Sequence, residues 1–358
     1  CSTAVLIMLS SIVGSVPGAV VLGRSPLDRV VRVISGHFTS ADTQSLLLVQ
    51  DLGQVELIRP SRLERSQFGL LRLAVVQLGA AGFSSVWASE PLASLYSEHQ
   101  DISGTAWALG DVDGNGLDEL VLFSGHSCRV LRFTGGAIVE ETLAFPGAAV
   151  AAAAVCDVNN DGISDIVTLE LPQQQGGDVL RLVRVYQQAG RELVPHRPCY
   201  IGINWGSDTR ITILGSARLD DYPGTLPVVA GIRVDPKPSI YVVLYEPRPD
   251  SLVMTANPFP WQEWFSKTRV LPAGELALFN VGDTLVGYGY FVPGSRPAGP
   301  SESFAALQDG EWRLLSLTEQ ASRLSGPVCR FCHAGTEGWL AFRENLFYFY
   351  PGEVFRWR

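Results

Sequence analysis

A chain of 358 residues that is 46% hydrophobic and 18% charged can bury one large core or two ordinary ones, which excludes a disordered polymer. Its formal net charge of −9 and pI near 5.1 argue against a nucleic-acid partner, because phosphate backbones require a basic face. Six cysteines are too few to build a disulfide scaffold of this length, so the core must come from packing.

Residues 4–23 carry no charge and read as a secretory apolar region or an uncleaved anchor, with small residues near Gly18 and Ala19 as a cleavage site. Pro17 disfavours a comfortable spanning helix, and a buried first strand is the competing reading. The expected organisation is residues 1–23 as signal peptide or membrane anchor and residues 24–358 as one repeat domain. Such a chain is extracytoplasmic: secreted, periplasmic or attached at the cell surface.

Beyond Arg24 the sequence alternates short apolar runs with polar turns, and helical period is nearly absent. Gly36–Val49 aligns without gaps to Gly110–Phe123, and weaker copies of the same strand, loop, strand frame begin at Leu73, Ala217, Leu278 and Cys329. With a further copy at 157–169, the frame predicts seven units. Each unit continues into an outer hairpin, such as Arg129–Phe133 with Ile138–Leu143, or Asn345–Tyr350 with Val354–Trp357. Four short strands per unit predict an all-β chain folded as a seven-bladed β-propeller, six blades being the other count. Stretches 172–177, 196–207 and 292–301 are rich in Gly, Pro and Gln or otherwise irregular and read as surface loops.

Two of the loops are acidic. Asp111-Val-Asp113-Gly-Asn115-Gly116-Leu117-Asp118-Glu119 and Asp157-Val-Asn159-Asn-Asp161-Gly162-Ile163-Ser-Asp165 each run into a β-prone segment. Oxygens at positions 1, 3 and 5, a carbonyl at 7 and a carboxylate at 9 can converge on one hard cation, and Gly at position 6 permits the turn. The expected ligand sets are Asp111, Asp113, Asn115, the Leu117 carbonyl and Glu119, and Asp157, Asn159, Asp161, the Ile163 carbonyl and Asp165. In the first set Glu stands at position 9, and neighbouring Asp118 either substitutes for it or only adds charge. An EF-hand is excluded because position 12 is Leu122 or Thr168 and no helix follows.

These two loops with their strands resemble the FG-GAP or VCBS repeats of integrin α-subunit-like propellers. The resemblance implies two Ca2+ sites and a propeller used for binding; the other five loops lack the ligand set and carry no metal.

Toward the C-terminus, Cys329-Arg-Phe-Cys332-His333 spells CxxCH, the attachment pattern of c-type haem. Against haem stand the placement of the motif in a blade segment and the absence of a matching second axial ligand. A thiol pair or a metal site are the alternatives. No GxSxG, HExxH or GxxxxGK pattern is present. Asp220–Asp221 and Glu140–Glu141 read as solvated turn or edge charges. Trp205, Trp261, Trp264 and Trp312 lie in or near loops, where they either stack on a ligand or cap hydrophobic clusters. The overall expectation is a calcium-stabilised, non-enzymatic module binding a protein or carbohydrate ligand. The alternatives are an exported hydrolase or redox enzyme with a site over the propeller channel, or a c-type haem protein.

Overall fold

The computed structural model describes residues 19–58, 65–94, 105–124, 126–134, 137–147, 149–158, 161–170, 173–175, 178–201, 209–218, 225–233, 239–245, 252–254, 274–281, 284–291, 303–308, 311–317, 326–352 and 355–356. The acidic-loop residue Asn159, the three tryptophans 205, 261 and 264, and residues 1–18 of the N-terminal apolar run lie outside them. No helix occurs among the described residues, and none is long and apolar enough to cross a membrane.

Strand β1 (Val20–Arg24) is followed by a first antiparallel sheet of β2 (Val30–Ser40), β3 (Thr43–Ile58), β4 (Arg65–Gly79) and β5 (Gly82–Ala88), with β6 (Leu92–Ser94) paired to β4. The second sheet is β7 (Thr105–Gly110), β8 (Glu119–Ser124), β9 (Ser127–Thr134) and β10 (Ala137–Ala144). The third is β11 (Val150–Cys156), β12 (Asp165–Glu170), β14 (Asp178–Ala189) and β15 (Glu192–Ile201), with β13 (Gln173–Gln175) paired to β14. A single parallel pair, Ala144 with Glu192, joins the outer strands of these two sheets.

The fourth sheet is β16 (Thr209–Arg218), β17 (Thr225–Arg233), β18 (Ser239–Tyr245) and β19 (Leu252–Met254). The fifth is β20 (Gly274–Val281), β21 (Thr284–Phe291), β22 (Ser303–Gln308) and β23 (Glu311–Leu314). After β24 (Ser316–Leu317), the sixth is built from β25 (Val328–His333), β26 (Thr336–Arg343) and β27 (Leu346–Pro351), and its fourth strand is β1 from the other end of the chain. Last, β28 (Phe355–Arg356) pairs with β24.

Successive four-stranded meanders, closed by an N-terminal strand in the last sheet, form a β-propeller. The first strands of the sheets follow one another as neighbours: β25 contacts β2 and β20, β20 contacts β16, β16 contacts β11, and β11 contacts β7. The ring is completed where β2 meets β9 and β6 meets β7.

Among the described residues the strands make six such sheets. The unit read at Leu73–Ala88 is not a separate blade, because its strands are β4 and β5 of the sheet that Gly36–Val49 begins. Two further expectations shift. Residues 20–23, assigned to the N-terminal segment, belong to the last sheet through pairs such as Val20 with Phe349. The segment after Pro351 does not fold back on β27; Phe355 pairs with Leu317 instead.

Apolar seams between sheets explain the sequence pattern. A sheet covered on both faces gains from continuous apolar strands rather than alternating ones, and β8 (Glu-Leu-Val-Leu-Phe-Ser) is buried over its first five residues. Val31, Phe38, Leu47 and Leu73 meet Leu120, Leu122 and Phe133 between the first and second sheets. Ala106, Val121 and Phe145 meet Val155, Ile166 and Tyr186 between the second and third. The closing seam packs Val30, Leu46 and Phe83 against Phe331, Leu340, Phe347 and Phe349. Outer strand β10, by contrast, exposes Ile138 and Val139.

Phe347 lies fully buried in the closing seam, with its ring 4.4 Å from that of Phe83. Its truncation leaves a cavity between the first and last sheets. Phe347→Ala is expected to lower the unfolding free energy by about 3–5 kcal/mol in urea melts, whereas Val139→Ala stays within about 0.5 kcal/mol. Equal losses would contradict closure through this seam.

Candidate metal centre

The two acidic loops occupy the same place in consecutive sheets, linking the first strand to the second: β7 to β8, and β11 to β12. Three contacts repeat from loop to loop. The carboxylate at position 1 accepts from the backbone N–H groups of positions 5 and 6: Asp111 from Asn115 at 3.0 Å and Gly116 at 2.7 Å, Asp157 from Asp161 at 3.1 Å and Gly162 at 3.0 Å. The side chain at position 5 accepts from the N–H of position 7: Asn115 Oδ1 from Leu117 at 2.7 Å, Asp161 Oδ1 from Ile163 at 2.9 Å. At position 6, Gly116 and Gly162 both have φ of 83°, a left-handed conformation that a side chain would strain.

The third repeated contact closes each loop. Glu119 Oε2 accepts from Val112 N–H at 2.8 Å, and Asp165 Oδ2 accepts from Val158 N–H at 3.0 Å. Both carboxylates are buried, each 1% exposed. Glu119 therefore fills the part that Asp165 fills in the second loop, its extra methylene notwithstanding. Val112 and Val158, at position 2, are buried and pin each loop to the core.

Asp118 does not substitute for Glu119. It accepts from the N–H of His37 on β2 at 2.6 Å, while its own N–H donates to the His37 carbonyl at 2.8 Å. This two-way clamp joins the second sheet to the first, and burial pushes the Asp118 carboxyl above its usual range. A Cβ on Gly36 would meet Asp118 Oδ2 at 2.8 Å, so the clamp fits closely against a glycine.

In the first loop one oxygen from each of Asp111, Asp113 and Glu119 lies within 4.8 Å of the others, the one such acidic cluster found among the described residues. Like charges at about 4 Å repel by about 4 kcal/mol in a partly buried setting, and burial pushes Glu119 up to about 7, helped by Asp113 and Asp111. All the donors are hard oxygens, the set that suits a calcium ion. The residues present fit that ion: Asp111, Asp113, Asn115 and Glu119 would hold it, with the Leu117 carbonyl at the seventh position. In the second loop Asp157, Asp161 and Asp165 make the repeated contacts, and Asn159 lies outside the described residues.

Sequence reasoning missed Arg132, 19 positions from its partner Asp113. Its Nε lies 3.0 Å from Asp113 and 3.9 Å from Glu119, one terminal nitrogen lies 2.6 Å from Glu141, and the other donates to Gln188 at 3.3 Å. Burial works against its charge, but Asp113, Glu141 and Glu119 outweigh that and raise its pKa further. Glu141, read as a solvated edge charge, is thus half of a partly buried ion pair; Glu140 pairs with Arg129 at the surface. Only the strand register, not the sequence spacing, brings Arg132 beside the loop.

The CxxCH residues do not converge. Cys329 and Cys332 stand three apart on β25, on opposite faces of the strand. Cys329 is buried in the closing seam and burial pushes its thiol up, whereas Cys332 is exposed. Both thiols are free, and the His333 ring packs edge-on to Phe349 at 5.6 Å. The Cys332 N–H donates to Gln44 on β3 at 2.7 Å, which makes this strand part of the ring closure. Of the four tryptophans considered for ligand contact, Trp312 lies in β23, paired with Leu307.

The Asp118 clamp yields a test free of any metal. Asp118→Ala is expected to cost about 1–3 kcal/mol in chemical unfolding, because it leaves the partly buried His37 amide without its acceptor. Asp118→Asn keeps an acceptor and is expected to stay within about 1 kcal/mol. Losses of the same size for both would contradict the clamp.

Comparison with known proteins agrees with the loop geometry. Residues 111–168 match the model of the FG-GAP-like repeat, the stretch from the start of the first acidic loop into β12. No curated protein matches the chain. Among solved structures, the N-terminal domain of Nup159 is 12% identical, covering 93% of this chain and 94% of its own, with a TM-score of 0.40. The exotype rhamnogalacturonan lyase YesX is 9% identical (90% and 72% covered, TM-score 0.40), and the Bacillus licheniformis rhamnogalacturonan lyase PL11 is 10% identical (93% and 75% covered, TM-score 0.41). The β-propeller architecture follows from the strand topology. The chain is a β-propeller whose residues 111–168, spanning both acidic loops, are similar to the FG-GAP-like repeat.

Proposed function

We propose that this protein is a calcium-stabilised, extracytoplasmic β-propeller that serves as a non-enzymatic binding module for a protein or carbohydrate ligand. The observation that carries the calcium part is the repeated loop plan. Two loops spend their side chains on the same backbone contacts and each buries a terminal carboxylate, an arrangement whose charge an oxygen-seeking cation offsets. An ion held there binds the folded loops only, and so acts on stability rather than on chemistry. Export is supported by the uncharged residues 4–19 that precede β1, and that run is also a route to membrane attachment. Binding rather than catalysis is supported by the absence of hydrolase and phosphate-loop patterns in the sequence.

Chelation provides the first test. With calcium at a hundred times its dissociation constant, each site contributes about 2.7 kcal/mol, so a chelator is expected to lower the melting temperature by about 5 °C or more. Asp157→Ala, which removes a contact at the first position of the second loop, is expected to reduce bound calcium by one ion per chain. A melting temperature that ignores the chelator would sink the calcium reading. For the binding part, the protein immobilised on beads is expected to retain a glycan or secreted protein reversibly. Turnover in a screen of hydrolase and lyase substrates would overturn it.

A further inference from the structure

Arg132 and Gln187 occupy the same place in the two repeats. Arg132 lies on β9 one step beyond the pair of Leu131 with Leu120, and so beside Glu119. Gln187 lies on β14 one step beyond the pair of Tyr186 with Ile166, and so beside Asp165. Each reaches back to its loop: Arg132 Nε to Asp113 at 3.0 Å, Gln187 Nε2 to Asp161 at 3.3 Å. The repeats therefore match in register and differ in the loop position they reach, the third for Arg132 and the fifth for Gln187, and in charge, a guanidinium in the first and a neutral amide in the second.

We infer that Arg132 is a resident counter-cation of the first acidic loop, which sets that loop's affinity for a divalent cation well below that of the second. The inference rests on reading both loops as calcium sites and adds a ranking that neither ligand set supplies. The guanidinium contacts two of the three clustered carboxylates, Asp113 and Glu119, and is itself only 15% exposed. A divalent ion entering the cluster meets a fixed positive charge within a few ångströms and must share or displace its contacts. Displacement also breaks the bonds of Arg132 to Glu141 on β10 and to Gln188 on the next sheet. Gln187 imposes no such charge. The first loop is thus held partly by its own arginine and takes an ion more weakly than the second.

Calorimetric titration of calcium into chelator-stripped full-length protein tests this, with Arg132→Gln and Gln187→Arg as reciprocal exchanges. The unchanged chain is expected to show two classes of site at least ten-fold apart. Arg132→Gln tightens the weaker class by ten-fold or more and leaves the tighter one in place, and Gln187→Arg weakens the tighter class by a similar factor. Because Gln187 sits at the loop surface, Gln187→Arg decides the matter even if Arg132→Gln fails to fold. Two equal sites whose affinities neither exchange moves would overturn the role of Arg132 while leaving the calcium reading intact. No calcium bound by any of the three proteins would overturn the calcium reading and this inference with it.

Discussion

The interaction on which the rest of the site depends is the buried carboxylate at position 9 accepting from the amide at position 2. Glu119 with Val112 and Asp165 with Val158 make it at nearly the same distance in consecutive sheets. This contact draws each loop shut over its two strands, and the valine at position 2 fixes the loop to the seam below. A hydrogen bond to a charged group contributes about 1.5–3 kcal/mol, but a buried carboxylate without a counter-charge loses much of that to desolvation. The remaining acidic side chains are arranged so that a positive charge can offset that loss. In the first loop a guanidinium already stands beside the cluster.

Stability of the ring has a different source. The seams between sheets are apolar and aromatic, and the last one is made by residues from both ends of the chain: Val30 and Leu46 from β2 and β3, Phe347 and Phe349 from β27. Strand β1 completes the last sheet, so closure and the burial of that seam are coupled events. The polar contacts between sheets, Asp118 with His37 and Gln44 with Cys332, set register rather than supplying bulk stabilisation. This division leaves the acidic loops free to respond to an ion without unmaking the fold.

Much of this was legible in the residues. The spacing of Asp111, Asp113, Asn115 and Gly116, repeated at Asp157, Asp161 and Gly162, led to the strand-linking loops, and the apolar runs beside them to four-stranded units. The count of units was less legible. A strand, turn, strand pattern looks the same whether it is the inner or the outer hairpin of a sheet, so Leu73–Ala88 was indistinguishable from the start of a blade. Asp118 and Glu119 are adjacent and both acidic, and only the alternation of the strand sends one to His37 and the other into the loop. Arg132 was invisible for a similar reason, since its relation to Glu119 exists only through the pairing of β8 with β9. The separation of Cys329 from Cys332 could have been read from strand period alone, had β25 been recognised as a strand running through the whole motif.

The central claim is that the repeated loops are built around a cation. Elemental analysis of the chain, purified in calcium-containing buffer and then passed into calcium-poor buffer without chelator, tests it most directly. The account predicts calcium at one equivalent or more per chain, retained by the second loop at the least. A chain that keeps its fold while carrying no divalent cation above the buffer background would contradict it.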